Sequence, residues 1–307
     1  MTRDTETTRS LAAILAFAQR VSPHMGDKKM FALSEALADH CHDALTRDLT
    51  GYPFGETLAE TQRALSAADV DHWVDELANL AKAATGATVV CHDDYPINLR
   101  MVFDRPPVLF FRGSLVQDDS RSVSVVGTRN PSDSGLALAG RLAAELAKRE
   151  VTIVSGMARG IDTAAHAGAM NAGGRTIAVL GQGICTQLPR DRSSFANAIA
   201  RSGVVMSQFW PNQPATNWTF PIRNRVTSGL SLATVVVEAG PTSGAKLQAL
   251  DALNHGRRVF LVKQLVLQQD WAKEMQDHPG VSVLDDDLDE LITAIDADLS
   301  LGHDVLV

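Results

Sequence analysis

The hydrophobic pattern changes period near residue 86. Before that point apolar residues recur at helical spacing. Ser10 can cap a segment reaching residue 21, with Leu11, Ile14, Leu15 and Ala18 on one face. A second segment, 30–45, carries Phe31, Leu33, Leu37 and Cys41. Stretches 58–65 and 70–85 add one or two more helices, the last with Trp73, Leu77, Leu80 and Ala81. Pro23, Gly26, Gly51 and Pro53 punctuate the series. The pattern predicts a small N-terminal helical domain over residues 1–85. Nothing in it specifies chemistry, and it lacks the glycine hairpin of a DNA-binding helix-hairpin-helix, so a packing or interaction module is expected.

After residue 86 short β-branched runs alternate with helical stretches. Strands are predicted at 87–91 and 108–111, then at 122–126, 151–154, 176–180, 203–206, 232–238 and 258–262. Helices are predicted at 133–148, after Gly160, at 193–202 and from 244 to 254. Regular alternation of this kind specifies an α/β fold: an extended, Rossmann-like, doubly wound and mostly parallel sheet with right-handed crossovers. It occupies residues 86–307, with an acidic C-terminal segment from about 263 whose one amphipathic helix, 288–295, covers a sheet edge. Residues 208–220, with Pro211 and Pro214 among aromatic residues, read as a loop.

The first two core strands each stop at a glycine loop, Gly127-Thr128-Arg129-Asn130 and Ser155-Gly156-Met157-Ala158-Arg159-Gly160. In a doubly wound sheet such loops lie side by side at the carboxyl edge, where ligands bind. Each carries one arginine and leads toward a helix N-terminus. Backbone amides, helix dipole and guanidinium together favour a phosphate there. Arg129, Arg159, Arg223 and Arg225 come from three separate loops and are expected to converge on one rim around an anionic ligand. A dinucleotide fingerprint, a Walker lysine motif, H-E-x-x-H and a nucleophile elbow are all absent. Gly181-Gln182-Gly183 lacks a third glycine. His166, among small residues, reads as a satisfied, partly buried group rather than a catalyst. Glu238, at a strand end, is either an acid for N-glycosidic chemistry or, preferably, a charge that orients an arginine of the site.

Charge sharpens this picture. The net charge is −8, but it is unevenly spread. Residues 122–262 hold 14 Lys+Arg against 7 Asp+Glu, net +7, while 1–121 hold 12 against 18 and 263–307 hold 2 against 11. The glycine-loop segment is therefore basic between acidic flanks, and local charge governs phosphate attraction because salt screens the rest beyond about 10 Å. The apolar stretch 11–18 ends in Ala16-Phe17-Ala18, which mimics a signal-peptidase site, but Asp4 and Glu6 precede it and the run is short, so a buried helix is expected. No apolar run reaches the roughly 18 residues of a membrane span. Cys41, Cys91 and Cys185 lack metal-ligand spacing and fit reduced thiols of a cytoplasmic protein; no metal or cofactor is implied.

Three strings then stand out in order: VVGTRNPSDSG; SGMARGIDTAAHAGAMNAGGRTIAVLGQG; and TFPIRNRVTSGLS followed by VVVEAGPTSGAK. With the upstream DDYPINLRMVFDRPPVLFFRGSL they resemble the DNA-processing protein A family (DprA, also called Smf), over about residues 89–262. The resemblance implies single-stranded DNA binding, dimerisation, a cytoplasmic location and help in loading the RecA recombinase during transformation or recombination, without catalysis. It places DNA contact at Gly127, Arg129, Ser155, Gly156, Arg159, Gly160, Phe220, Arg223, Asn224 and Arg225. Phe220 is either a base-stacking group or a hydrophobic plug. The chain departs from the family pattern at Ser207-Gln208, at Ala245-Lys246-Leu247-Gln248, and after Val262, and it shows no counterpart of the winged-helix appendage of many members. A rival reading is a small-nucleotide sensor or an enzyme. The fold also resembles lysine-decarboxylase-like phosphoribohydrolases, although their P-G-G-x-G-T-x-x-E string is lacking.

Overall fold

The structure, a computed structural model, describes residues 5–22, 28–38, 43 and 45–303, with side chains as far as Ser300. Four helices lead: α1 (Thr5–Val21), α2 (Lys28–Ala38), α3 (Gly55–Arg63) and α4 (Ala67–Lys82). Residues 39–42 and 44 of the expected 30–45 helix, Cys41 among them, lie outside the described residues, and 43 and 45 are in turns. There follow β1 (Thr85–Val89), α5 (Ile97–Arg100), β2 (Val108–Gly113), β3 (Ser122–Val126), α6 (Asp133–Lys148), β4 (Thr152–Ser155), α7 (Ile161–Asn171) and β5 (Thr176–Val179). Then come α8 (Arg190–Ser202), β6 (Val204–Ser207), α9 (Thr219–Leu230), β7 (Ala233–Val236), α10 (Gly244–Asn254) and β8 (Arg258–Val262). The chain closes with α11 (Lys263–Gln268), α12 (Asp270–Met275), β9 (Val281–Leu284) and α13 (Leu288–His303).

The strands form one nine-stranded sheet in the order β1-β2-β6-β5-β4-β3-β7-β8-β9. From β6 to β9 every pairing is parallel, and β1 and β2 extend the sheet antiparallel beside β6. Winding runs outward from β3 in one direction through β4, β5 and β6, and in the other through β7, β8 and β9. The strand order therefore reverses at β3, the topological switch point at whose carboxyl end an open sheet binds ligands.

Alternate strand residues feed opposite faces. Val123, Val125, Ile153 and Val235 pack under α6, α7 and α13, while Val126, Val236, Val259 and Leu261 pack under α10, α11 and α12. Ser122 and Ser124 alternate with these valines for a specific reason. Their hydroxyls donate to the Leu230 and Thr227 carbonyls at the end of α9, 2.7 and 3.1 Å away, which lets that helix lie close on β3. Helices α1–α4 share their core with the sheet: Leu15, Phe17, Leu33 and Trp73 belong to one apolar cluster with Phe110, Met206 and Trp210.

Three expectations need correction. The expected 208–220 loop ends early and Arg223 and Arg225 lie on a helix rather than a loop: α9 begins at Thr219 and tolerates Pro221 because a first-turn N–H has no intrahelical acceptor. The C-terminal segment does more than cover an edge, since β9 pairs with β8 and adds a strand to the sheet. Cys185 is a free, exposed thiol, but Cys91 is disulfide-bonded, so the cysteines are not uniformly reduced.

Candidate nucleic-acid interface

The loop after β3 is held by its neighbour across the switch point. The Thr128 N–H donates to the Glu238 carbonyl at 2.6 Å. The Glu238 carboxylate accepts from the Ser132 N–H at 3.1 Å and from its hydroxyl at 2.8 Å, and Ser132 Oγ in turn accepts from the Gly135 N–H to cap α6. A carboxylate is favoured at a helix N-terminus. Glu238 therefore fastens the β3 loop to the β7 loop. Among the described residues no arginine pairs with it, which corrects the expected orienting role.

The loop after β4 is built around two buried charged side chains, Asp162 and Arg223, which bond to different parts of it. Met157 and Gly160 take left-handed backbone conformations, φ 54° and 87°. A Cβ at position 160 would also sit 2.4 Å from the Thr128 carbonyl oxygen, so the two glycine loops touch there. Asp162 accepts from the Gly156 and Ala158 N–H groups at 3.1 and 3.2 Å. Arg223 lies behind the loop, where its Nη1 donates to the carbonyls of Gly156 and Val179, both at 2.7 Å. A Cβ at position 156 would come within 2.1 Å of that guanidinium. Burial pushes the Asp162 carboxyl up while the Arg223 charge pulls it back, and burial likewise pushes Arg223 down.

This wiring changes the expected recognition chemistry. The N–H groups of Thr128, Asn130, Ser132, Gly156, Ala158 and Ile161 already donate within the protein. Those six amides are therefore closed to a ligand, and the loops have left to offer the guanidinium groups and N–H groups outside that set, such as those of Arg129 and Gly160.

Among the ten expected contact residues the exposed cations at the rim are Arg129 and Arg159. The Arg129 guanidinium stands 5.6 Å from the centre of the half-buried Phe220 ring. That ring is seated on Gly181, where an added Cβ would lie 2.7 Å from it, and Thr219 Oγ1 donates to the Gly181 carbonyl to fix the start of α9. Gly127 and Gly160 line the same rim at half-buried positions. A third cation was not foreseen. Arg192, in the first turn of α8, donates to the Met157 carbonyl at 2.9 Å, and its charge acts with that of Arg129 to depress Arg223. The available signal was positional: the first turn of a crossover helix lies at the carboxyl edge, but the helix was expected to begin at Ser193.

The remaining expected residues are occupied elsewhere. Ser155 is buried and its hydroxyl donates to the Val125 carbonyl. Asn224 is buried, accepting from Arg223 and donating to the Gly244 carbonyl. Arg225 turns away from the rim, 3.6 Å from Asp104 and over the ring of Phe31 in α2. Behind it Ser228, His255 and Asp104 form a line of hydrogen bonds at 3.0 and 2.7 Å. The array resembles a hydrolytic triad, but Ser228 is fully buried and within reach of the Arg225 carbonyl, leaving no room for a substrate. His166 is also fully buried. Its Nδ1 pairs with Thr176 Oγ1 at 2.6 Å, its Nε2 has no partner, and desolvation, with a smaller contribution from Arg223, lowers its pKa to about 3.

The sequence model of a family described as DNA recombination-mediator protein A matches residues 87–278. The chain belongs to that family. The matched region contains every rim residue named above. Over 169 residues the chain is 38% identical to DNA processing protein DprA of Bacillus subtilis, covering 55% of this chain and 57% of that one. Over 168 residues it is 44% identical to protein Smf of Escherichia coli, covering 54% and 45%. The chain thus spans about half the length of the curated relatives it matches. Among solved structures, DNA processing protein A from Streptococcus pneumoniae superposes with a TM-score of 0.65 at 26% identity, over 93% of this chain and 92% of that one. The Helicobacter pylori protein, solved for its single-stranded DNA binding mode, shares the fold with a TM-score of 0.61 at 23% identity, over 70% and 96%. Among the described residues no helix is long and apolar enough to cross a membrane.

Proposed function

We propose that the chain binds single-stranded DNA along the carboxyl edge of its sheet and acts, without catalysis, in DNA processing for transformation or recombination. The observation that carries this is the Arg129–Phe220 pair over Gly181 at the switch point. It sets a guanidinium over an aromatic ring, a stacked platform on which the cation can meet a phosphate and its plane can take a base. Arg159 and Arg192 extend the positive rim, and the basic middle segment supplies the surrounding field. A plane that must stack on a base favours an unpaired strand over a duplex, whose bases already stack on each other. The engagement of Glu238 by Ser132 favours binding over N-glycosidic cleavage. The chain works in the cytoplasm as a homodimer and hands its strand to RecA, with residues 1–85 as a helical module buttressing the sheet. The dimer and the transfer to RecA are carried over from the family resemblance, and the buttressing role is supported by the core that the N-terminal helices share with the sheet.

The test is oligonucleotide binding by fluorescence anisotropy across a salt series. About three phosphate contacts give a slope of log K against log salt near −2. The double variant Arg129→Ala/Arg159→Ala should bind more weakly, with a slope shallower by roughly 1.4. Equal affinity and slope for both proteins would remove the proposal.

A further inference from the structure

A cavity of about 610 Å³ opens beside the rim, between α1, α4 and the loop that precedes α9. That volume lies within the roughly 300–1,000 Å³ of small-ligand sites. Trp73 and Trp210 form its inner wall, with ring centres 5.5 Å apart. Their indole N–H groups are already used, donating to Gln19 Oε1 and to the Ser22 carbonyl, so the rings offer only apolar surface. Trp218, 42% exposed, stands at the mouth, and Pro211 and Pro214 line the cavity with it.

Two features say what the cavity takes. The Gln213 side chain belongs to its lining, and both the amide nitrogen and the amide oxygen are buried with no partner in the protein. Thr216 Oγ1 in the same lining is likewise unpartnered. The Trp73 and Trp210 rings are only 2% and 7% exposed, so the ring face open to a flat group is that of Trp218, and a group carrying a donor beside an acceptor would satisfy the Gln213 amide once the loop over it shifts. The lining also contains no lysine or arginine, and its one carboxylate is Glu76, so a phosphate is disfavoured inside. The second feature is position. Trp218 immediately precedes α9 and Phe220 lies in its first turn, so the mouth of the cavity and the stacking ring of the rim are two residues apart.

We propose that this cavity is a base pocket: a nucleobase of the strand held at the Arg129–Phe220 rim turns out of the backbone and enters it, with Trp218 across one face and Gln213 on its hydrogen-bonding edge. The inference rests on the proposed single-strand binding and adds to it a subsite, partly built by α4, that reads bases rather than phosphates.

The experiment compares an ordinary oligonucleotide with one of equal length carrying abasic sites, each titrated against wild type, Arg129→Ala, Trp218→Ala and Gln213→Leu. Trp218 is exposed enough for truncation to leave the fold intact, and Gln213→Leu keeps the side-chain volume. Wild type should prefer the ordinary strand by about ten-fold, the scale of one aromatic–base contact. Trp218→Ala and Gln213→Leu should each lose most of that preference while binding the abasic strand as wild type does. Arg129→Ala should weaken both strands alike. If the two pocket variants keep the full preference while Arg129→Ala still weakens binding, the pocket is overturned and the rim stands. If wild type binds neither strand, the function proposed above fails and the pocket falls with it.

Discussion

Two pairs of arginines, drawn from the same short list of loop residues, have opposite fates. Arg129 and Arg159 end in solvent at the carboxyl edge. Arg223 and Arg225, two residues apart on α9, turn inward: one ties the loop after β4 to β5, the other reaches Asp104 and Phe31. The inward pair is held in two ways: Arg223 spends its N–H donors on two carbonyls and Asn224, while Arg225 is held by the Asp104 charge and the Phe31 ring. A guanidinium whose N–H groups meet carbonyls orders a loop; one whose N–H groups face water is available to a phosphate. Arg223 builds the loop after β4, Arg225 packs α9 toward Asp104 and Phe31, and the outer pair uses the rim that results.

The largest effect should come from the inner pair. Arg223→Met leaves the Gly156 and Val179 carbonyls without their donor and the buried Asp162 without its countercharge. Leaving a buried acceptor without its donor costs about 1–3 kcal/mol. Urea unfolding should show a loss of that order, and Arg223→Lys should rescue little, because an ammonium cannot fork between two carbonyls and Asn224. A loss under 1 kcal/mol would mean that Arg223 is not the strut described here.

The outer pair predicts the reverse profile. Arg129→Ala should leave the unfolding midpoint within the ±0.5 kcal/mol typical of surface substitutions, while weakening oligonucleotide binding about ten-fold. Arg225→Ala is its mirror: a small stability loss, under about 1 kcal/mol given the partial exposure of the Asp104 pair, with affinity unchanged. If Arg225→Ala weakened binding as Arg129→Ala does, the division between inner and outer arginines would collapse.

The division could not be read from the chain, although much around it could. The core strands declare themselves through β-branched runs such as Val123 to Val126, and once the alternation is seen the carboxyl edge follows from topology. Family-like strings then marked the right loops. What stayed hidden was which atoms the protein uses itself. Asp162 consumes the Gly156 and Ala158 amides, and Glu238 the Ser132 amide, through contacts set by tertiary packing rather than by spacing. The start of α9 was obscured for a local reason: its N-cap is Trp218, which supplies no side-chain cap, and Pro211 and Pro214 precede it. Arg192 was missed because the helix that carries it starts three residues earlier than its apolar pattern suggested.

The smallest effect separates the two regions by pH. Asp251 on α10 lies near Arg225, His255 and Asp104, and burial raises its carboxyl to about 6, with Arg225 and His255 opposing. The native protein therefore binds this proton more tightly than the unfolded chain, whose carboxyl titrates near the ordinary value of about 3.9. Between about pH 4 and pH 6 the native state holds the extra proton, so this group's contribution to stability is present at low pH and is lost as pH rises through that window. Asp251→Asn removes that dependence. Relative to wild type, the variant should gain stability as pH rises from 4 to 7, by under about 1 kcal/mol because the site is partly solvated. The same variant should bind DNA as wild type does at every pH, since Asp251 belongs to the inner arginine's surroundings and not to the rim. Parallel stability curves for the two proteins would contradict the raised carboxyl. A pH-dependent change in affinity would instead show that Arg225 and the rim are coupled through α9.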